Sequence, residues 1–187
     1  MEREPTFDLH KPKIEMPIFQ TIWSERLDEI KQDILDHKKE FSETTPDDNV
    51  FASWRSNWIL HKTDPRFKPV SDFFEQFAQE IGESYFLTNE IYETVDMWAM
   101  TYDGKQGARP HYHYPSTLSF VFYIDVEENS APICFGENCR SVENGLVLAF
   151  PASCMHWVPD DHEGKRICIS ANLDHVSPQM RGTWRAI

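Results

Sequence analysis

The sequence has few glycines and no glycine-rich loop. Its seven glycines are scattered and form neither GxGxxG nor GxxxxGK[ST], which excludes the two commonest nucleotide-binding loops. Long apolar runs are also missing, since no stretch approaches the roughly 20 residues that a membrane-spanning helix needs. Met1 to Pro5 are mostly polar and no apolar stretch follows them, so we expect neither a secretion signal nor a membrane partner.

Cysteine is scarce as well. The chain has four cysteines and no CxxC pair: Cys134, Cys139, Cys154 and Cys168. We interpret them as reduced, buried thiols of a cytoplasmic protein rather than as disulfides or zinc ligands.

Basic residues are outnumbered by acidic ones. The 18 Lys and Arg stand against 31 Asp and Glu, which gives a net charge of −13. Such a surface repels a phosphate backbone, and no local basic patch offsets it, so nucleic acid is not an expected partner. The expected partner is a small molecule or another protein, and the oligomeric state is left open.

The length and composition predict one globular domain over residues 1–187, with 40% hydrophobic residues. We interpret residues 1–90 as an N-terminal arm with supporting helices, 91–176 as the core and 177–187 as a C-terminal tail. An apolar stripe predicts a helix from Ser24, which would cap it. A second helix is predicted from Asp72 to Ile81, capped by Ser71 and ended by Gly82.

After residue 90 the sequence changes to short strands separated by turn-forming clusters. The predicted strands cover 94–102, 109–114, 117–126, 131–135, 140–143, 145–150, 155–158 and 166–173. Helices followed by strands predict an α+β fold. Eight short antiparallel strands favour a double-sheet jelly roll, with the N-terminal helices packed on one outer face.

Two histidines lie two residues apart in the segment Arg109-Pro-His-Tyr-His-Tyr114. Because side chains alternate along a strand, His111 and His113 are predicted to share one face, as half of a metal site would require. A pair of polar surface residues is the alternative.

A third histidine, His156, follows the apolar strand 146–150 and lies among Cys, Met, Trp and Val. It is predicted to be buried, and a buried imidazole needs a partner for each nitrogen. Metal coordination would provide one, although a hydrogen-bonded core histidine fits equally well.

Arg166 opens the polar face of a strand whose other face is apolar. A buried guanidinium without an anion is costly, and its planar fork suits a carboxylate. No acidic residue lies within the strand, so a ligand carboxylate is a candidate partner. Glu143 or Asp125 from elsewhere in the fold is the alternative.

Taken together, these motifs resemble the 2-oxoglutarate/Fe(II)-dependent oxygenase superfamily. The similarity covers residues 95–173 and is greatest to an uncharacterised prokaryotic and phage branch with a His-x-His first motif. The matching residues are Trp98, His111 to Ser116, Leu118-Ser119 to Tyr123, Phe150-Pro151 to His156, and Arg166 to Ser170 and Asn172.

One position departs from the superfamily pattern, which usually has a carboxylate two residues after the first histidine. This chain has His113 there. Either His111, His113 and His156 hold the metal as three neutral imidazoles, or His113 turns away and water or chloride takes the third position. We favour the first, because imidazole suits Fe(II).

The resemblance implies a double-stranded β-helix core, a cupin-like jelly roll. It also implies an enzyme with Fe(II) as cofactor and 2-oxoglutarate as co-substrate. It implies hydroxylation of a C–H bond in a peptide side chain or small metabolite, with release of succinate and CO₂. Arg166 would bind the distal carboxylate of 2-oxoglutarate, aided by a hydroxyl from Ser170 or Tyr123. Aromatic residues are candidates for binding the substrate: Trp98, Tyr102, Tyr112, Tyr114 and Trp157.

Two other functions stay open. One is a cupin-type three-histidine metalloenzyme that uses no 2-oxoglutarate; position 117, usually Glu in cupins, is Thr here, and such an enzyme has no need of Arg166. The other is a non-catalytic jelly-roll binding module in which the histidines only pack.

Overall fold

The computed structural model describes residues 15–42, 44–87 and 90–176. Most of the predicted arm (1–14) and the predicted tail (177–187) lie outside the described residues. The helical elements are α1 Leu27–Glu40, α2 Leu60–Thr63, a 3₁₀ turn Pro65–Phe67, α3 Lys68–Ile81 and a π-helical turn Gly82–Phe86. The strands are β1 Phe19–Ile22, β2 Trp54–Arg55, β3 Ile91–Tyr102, β4 Ala108–His111, β5 Leu118–Val126, β6 Ile133–Phe135, β7 Asn138–Arg140, β8 Leu146–Pro151, β9 His156–Val158 and β10 Arg166–Val176.

Within the described residues the strands form two antiparallel sheets. The larger has six strands in the order β1-β8-β5-β10-β3-β2, and the smaller has four in the order β4-β9-β6-β7. Apart from the short strands β1 and β2, the helices precede the antiparallel core strands, in agreement with the α+β prediction. No helix in the described ranges has the length and apolar character needed to span a membrane.

The larger sheet separates two hydrophobic clusters because its side chains alternate between faces. One face packs on α1 and α3, where Phe74 of α3 lies 5.1 Å from Phe120 of β5 between ring centroids. Phe74 is fully buried, and its truncation to alanine is expected to cost about 3–5 kcal/mol of stability. The other face, which includes Trp98 and Tyr123, encloses the second cluster together with the smaller sheet.

Both helix starts differ from the prediction. Helix α1 begins at Leu27 after Arg26, without a side-chain cap, so Ser24 lies outside it. Helix α3 begins at Lys68, four residues before the predicted Asp72, because the 3₁₀ turn leads directly into it and a proline occupies its first turn. Ser71 is therefore a buried residue inside the helix rather than its cap. Gly82 does follow the last residue of α3.

Cys134 and Cys139 form a disulfide across the hairpin of β6 and β7. The prediction of four reduced, buried thiols is wrong for this pair, whereas Cys154 and Cys168 are free and buried. Gly136 in the turn has a φ of 60°, which lets the two strands meet so tightly that these cysteines become register partners. A search for CxxC spacing does not detect such a pairing.

Candidate metal centre

Three imidazoles meet where β4 and β9 pair. His111 ends β4 and lies directly opposite His156, the first residue of β9. His113 completes the group, and one potential ligand atom from each histidine lies within 4.8 Å of the other two. The ring centroids are 4.3 to 5.1 Å apart.

His113 reaches the cluster by a different route from the predicted one. The predicted strand 109–114 ends at His111, so alternation along a strand does not explain the position of His113. Its backbone N–H instead donates to the carbonyl of Ala152 at 2.7 Å, which ties the turn after β4 to the segment between β8 and β9. His113 therefore reaches His111 through a turn rather than along a shared strand.

Backbone carbonyls fix the orientation of two of the rings. Nδ1 of His111 donates to the carbonyl of Arg109 at 2.7 Å, and Nδ1 of His156 donates to that of Cys154 at 3.0 Å. Because a carbonyl only accepts, both Nδ1 atoms carry a proton, so in the neutral form of either ring the lone pair is on Nε2. Within the described part of the chain, no hydrogen bond holds the ring of His113.

Burial keeps two of the imidazoles neutral. It lowers the pKa of His156 to about 3, with a further decrease from His111, and lowers the pKa of His113 to about 4, again with a contribution from His111. A metal ligand must be neutral imidazole, so this protonation state is the one that coordination needs.

The cluster fits a divalent transition metal. It contains three nitrogen donors and no carboxylate, and imidazole suits iron, zinc, copper and nickel. Three protein ligands would leave positions on a bound ion for small molecules.

The histidines line a cavity between the two sheets. Its lining includes every histidine of the cluster together with Arg166, Ser170, Tyr123, Tyr102 and Trp98. Most of the predicted site residues therefore share one cavity. Tyr112 and Tyr114 are not in its lining and are 56% and 75% exposed, while the indole of Trp157 donates to the carbonyl of Gly136.

Arg166 is buried in this cavity without an anionic partner. It is 4% exposed, one of its terminal nitrogens donates to the carbonyl of Ala131 at 2.9 Å, and its guanidinium lies 4.2 Å from the ring of Tyr102. Its Nε has no hydrogen-bond partner. Of the two acids considered as partners, Asp125 pairs with Lys31 and Glu143 is exposed, and no ion pair involves Arg166 among the described residues.

The groups around Arg166 are neutral hydrogen-bonding groups. Burial raises the pKa of Tyr102 and Tyr123, so both phenols keep their protons. Burial also raises the pKa of Cys168 to about 11, which leaves a neutral thiol. Among the described residues that line the cavity, this end therefore carries one fixed positive charge and no negative one.

Sequence reasoning missed the segment that covers the cavity. Val50 is part of the lining, and the N–H of Phe51 donates to the carbonyl of Gly107 while the N–H of Arg109 donates to that of Asn49. Arg55, 2% exposed, holds this segment by an ion pair with Asp47. Backbone pairing of this kind has no signature in the sequence.

Comparison with known proteins identifies solved structures that have a similar fold. No protein-family model matches the sequence, and no curated protein does. A prolyl-4-hydroxylase of Pseudomonas putida is 14% identical, with a TM-score of 0.64 over 86% of this chain and 93% of that one. The viral collagen prolyl hydroxylase of Paramecium bursaria Chlorella virus-1, a 2-oxoglutarate complex, is 13% identical, with a TM-score of 0.61 over 83% and 94%. HygX of Streptomyces hygroscopicus, with nickel and 2-oxoglutarate bound, is 11% identical, with a TM-score of 0.58 over 85% and 82%.

The predicted resemblance is thus confirmed at the level of the fold. The chain shares its fold with prolyl hydroxylases and other 2-oxoglutarate/Fe(II) oxygenases.

Proposed function

We propose that this protein is an Fe(II)- and 2-oxoglutarate-dependent oxygenase with a double-stranded β-helix core. In this proposal it hydroxylates a C–H bond of a peptide side chain or a small metabolite and releases succinate and CO₂. One observation carries it: three imidazoles and a buried arginine without an ion-pair partner among the described residues line the same cavity.

His111, His113 and His156 are the proposed metal ligands. The carbonyls of Arg109 and Cys154 orient the Nε2 lone pairs of the first and last of these, which reduces the reorganisation that metal binding requires. The bound iron would supply the oxygen and redox chemistry, while the protein fixes the geometry and excludes water.

Arg166 is the proposed site for the distal carboxylate of 2-oxoglutarate. The protein presents a guanidinium with an unpaired Nε, and Tyr123 and Ser170, which both carry hydroxyls, line the same cavity. Tyr102 lies against the guanidinium, so its proposed contact is with the co-substrate end of the cavity rather than with the hydroxylated group. Tyr112, exposed beside the histidines, keeps the proposed role of contacting substrate.

A cupin-type enzyme without 2-oxoglutarate accounts for the histidines but gives Arg166 no ligand. A non-catalytic module leaves both features without a role. A cytoplasmic location stays a proposal, and it would require the Cys134–Cys139 disulfide to persist among cellular reductants.

The test is an anaerobic titration of the full chain. Fe(II) is added first and 2-oxoglutarate second, and we expect one bound iron and then a visible charge-transfer band. His156→Ala should lower iron affinity by more than the roughly 100-fold typical of losing an outer-shell partner, and Arg166→Met should abolish the band while iron still binds. His162→Ala, in a surface turn where its ring pairs with Asp161, is the matched control.

The other functions give different results in the same titration. Iron binding without a band in the wild-type protein would identify the cupin-type enzyme. A well-folded protein that binds no iron would leave the non-catalytic module.

The role of His113 has its own comparison. If it coordinates iron, His113→Ala should weaken iron binding and His113→Asp should restore it, because a carboxylate can take the same position. If water or chloride fills that position, His113→Ala should bind iron as tightly as the wild-type protein does.

A further inference from the structure

Trp98 presents a buried hydrogen-bond donor that no described residue accepts. Its side chain is 3% exposed and lines the same cavity as the histidines and Arg166. The indole Nε1 has no hydrogen-bond partner. An indole N–H can only donate, and a buried donor without an acceptor is costly to the folded state. The position therefore suits a ligand that brings an acceptor.

The sheet register places Trp98 and Arg166 at different levels of the cavity. Arg166 lies opposite Tyr102, whereas Trp98, four residues earlier on β3, lies opposite Ser170. Four residues of strand span about 13 Å. The Trp98 ring is 5.8 Å from the ring of His113 between centroids, so the indole lies at the histidine end.

The register partners of Trp98 provide few other hydrogen-bond donors for an anionic oxygen. Val121 lies opposite Ser170 on β5, and Leu148 lies opposite Val121 on β8; both are apolar. Besides Trp98, the Ser170 hydroxyl is the polar group that these register partners contribute. A carboxylate here would find the indole N–H as a buried donor.

We propose that Trp98 donates its indole N–H to the carboxylate of the 2-oxoacid that lies nearer the histidines. The inference rests on the proposed function. A dicarboxylate with one end on Arg166 extends toward the histidines with the other, and the carboxylate there supplies the acceptor that the indole lacks. Trp98 is then a co-substrate-binding residue that selects for a carboxylate at this end.

The first experiment compares Trp98→Phe with the wild-type protein by anaerobic titration of the Fe(II)-loaded chain with 2-oxoglutarate. We expect the Kd for 2-oxoglutarate to rise about 10- to 100-fold, the range for a buried hydrogen bond to a charged group, with Fe(II) affinity unchanged. Trp58→Phe is the matched control: its ring packs against that of Trp98 at 4.7 Å but is 37% exposed. Equal affinities of Trp98→Phe and wild type would overturn the inference.

The second measurement needs no variant at the site. In full-length protein labelled with ¹⁵N-tryptophan and loaded with Zn(II), we expect 2-oxoglutarate to move the Trp98 indole N–H signal downfield and slow its exchange with water. Phenylalanine variants of the other five tryptophans assign the six indole signals by elimination. An unmoved Trp98 signal at saturating 2-oxoglutarate would also overturn the inference. Failure of the wild-type protein to bind 2-oxoglutarate would instead overturn the proposed function.

Discussion

Replacing Arg166 by methionine tests whether this arginine binds a ligand or only stabilises the fold. The guanidinium is 4% exposed, donates to the carbonyl of Ala131 and lies against Tyr102. A carboxylate that meets it there forms a buried pair, and removing one partner of such a pair costs about 3–5 kcal/mol. At about 1.4 kcal/mol per tenfold, Arg166→Met should weaken 2-oxoglutarate binding by roughly two to three and a half orders of magnitude.

The same substitution should change the stability of the ligand-free protein far less. No ion pair involving Arg166 is present in the described residues, so the variant loses the polar contacts with the carbonyl of Ala131 and with Tyr102 while burying an apolar side chain. We expect a loss of no more than about 2 kcal/mol in the free energy of unfolding.

Thermal unfolding with and without ligand measures both effects in the Zn(II)-loaded protein. At 2-oxoglutarate concentrations near 100 times its Kd, the wild-type protein should gain about 2.7 kcal/mol, and Arg166→Met should gain almost nothing at that concentration. Arg140→Met, which removes a guanidinium from edge strand β7, should respond like the wild type. A ligand-free loss of 3–5 kcal/mol, or undiminished stabilisation by 2-oxoglutarate, would refute the reasoning.

Three further predictions concern pH, substrate and the disulfide. In chelator-treated protein, the free energy of unfolding should fall as the pH drops from 6.5 toward about 4. Unfolded histidines take up protons in this range, whereas folded His113 and His156, with pKa values of about 4 and about 3, do not. In denaturant titrations the slope should reach about 1.4 kcal/mol per pH unit for each site. Tyr112→Ala should raise the KM for the hydroxylated substrate and leave the Kd for 2-oxoglutarate unchanged, because this exposed side chain is not part of the cavity lining. Reducing the Cys134–Cys139 bond should lower stability by about 2 kcal/mol, the loop entropy of so short a loop, in unfolding experiments with and without a thiol reductant.

Each of these has a contradicting result. A stability that is flat between pH 6.5 and 4 would mean that the two histidines titrate alike when folded and unfolded. A changed 2-oxoglutarate Kd in Tyr112→Ala would place that residue at the co-substrate, and an unchanged stability after reduction, with Cys134→Ser as the control, would show that the hairpin holds without the bond.

The strands that line the cavity could be predicted because their alternation is strong. On β10, Arg166 and Ser170 face the cavity, while Ile167 and Ile169 face the helices, as a period of two dictates. The order of the motifs also indicated the family whose fold the chain shares. Predicted and observed strand bounds differ by a few residues, since pairing with neighbours, rather than composition, decides where a strand ends.

What sequence reasoning missed depends on contacts between distant residues. β1 and β2 pair with strands far along the chain, His113 is positioned by the carbonyl of Ala152, and the disulfide requires a hairpin register. The capping predictions failed because tertiary packing and a preceding 3₁₀ turn outweighed local preferences around Ser24 and Ser71.

The two short N-terminal strands, β1 and β2, form the two edges of the larger sheet. β1 covers the free side of β8, and β2 covers part of β3. A fragment starting at Ile91 would keep the histidines and Arg166 but expose backbone donors and acceptors along two open borders, which are templates for self-association. By covering these edges, β1 and β2 should protect the sheet from aggregation. Expression of the β-rich half alone should therefore yield oligomers or insoluble material.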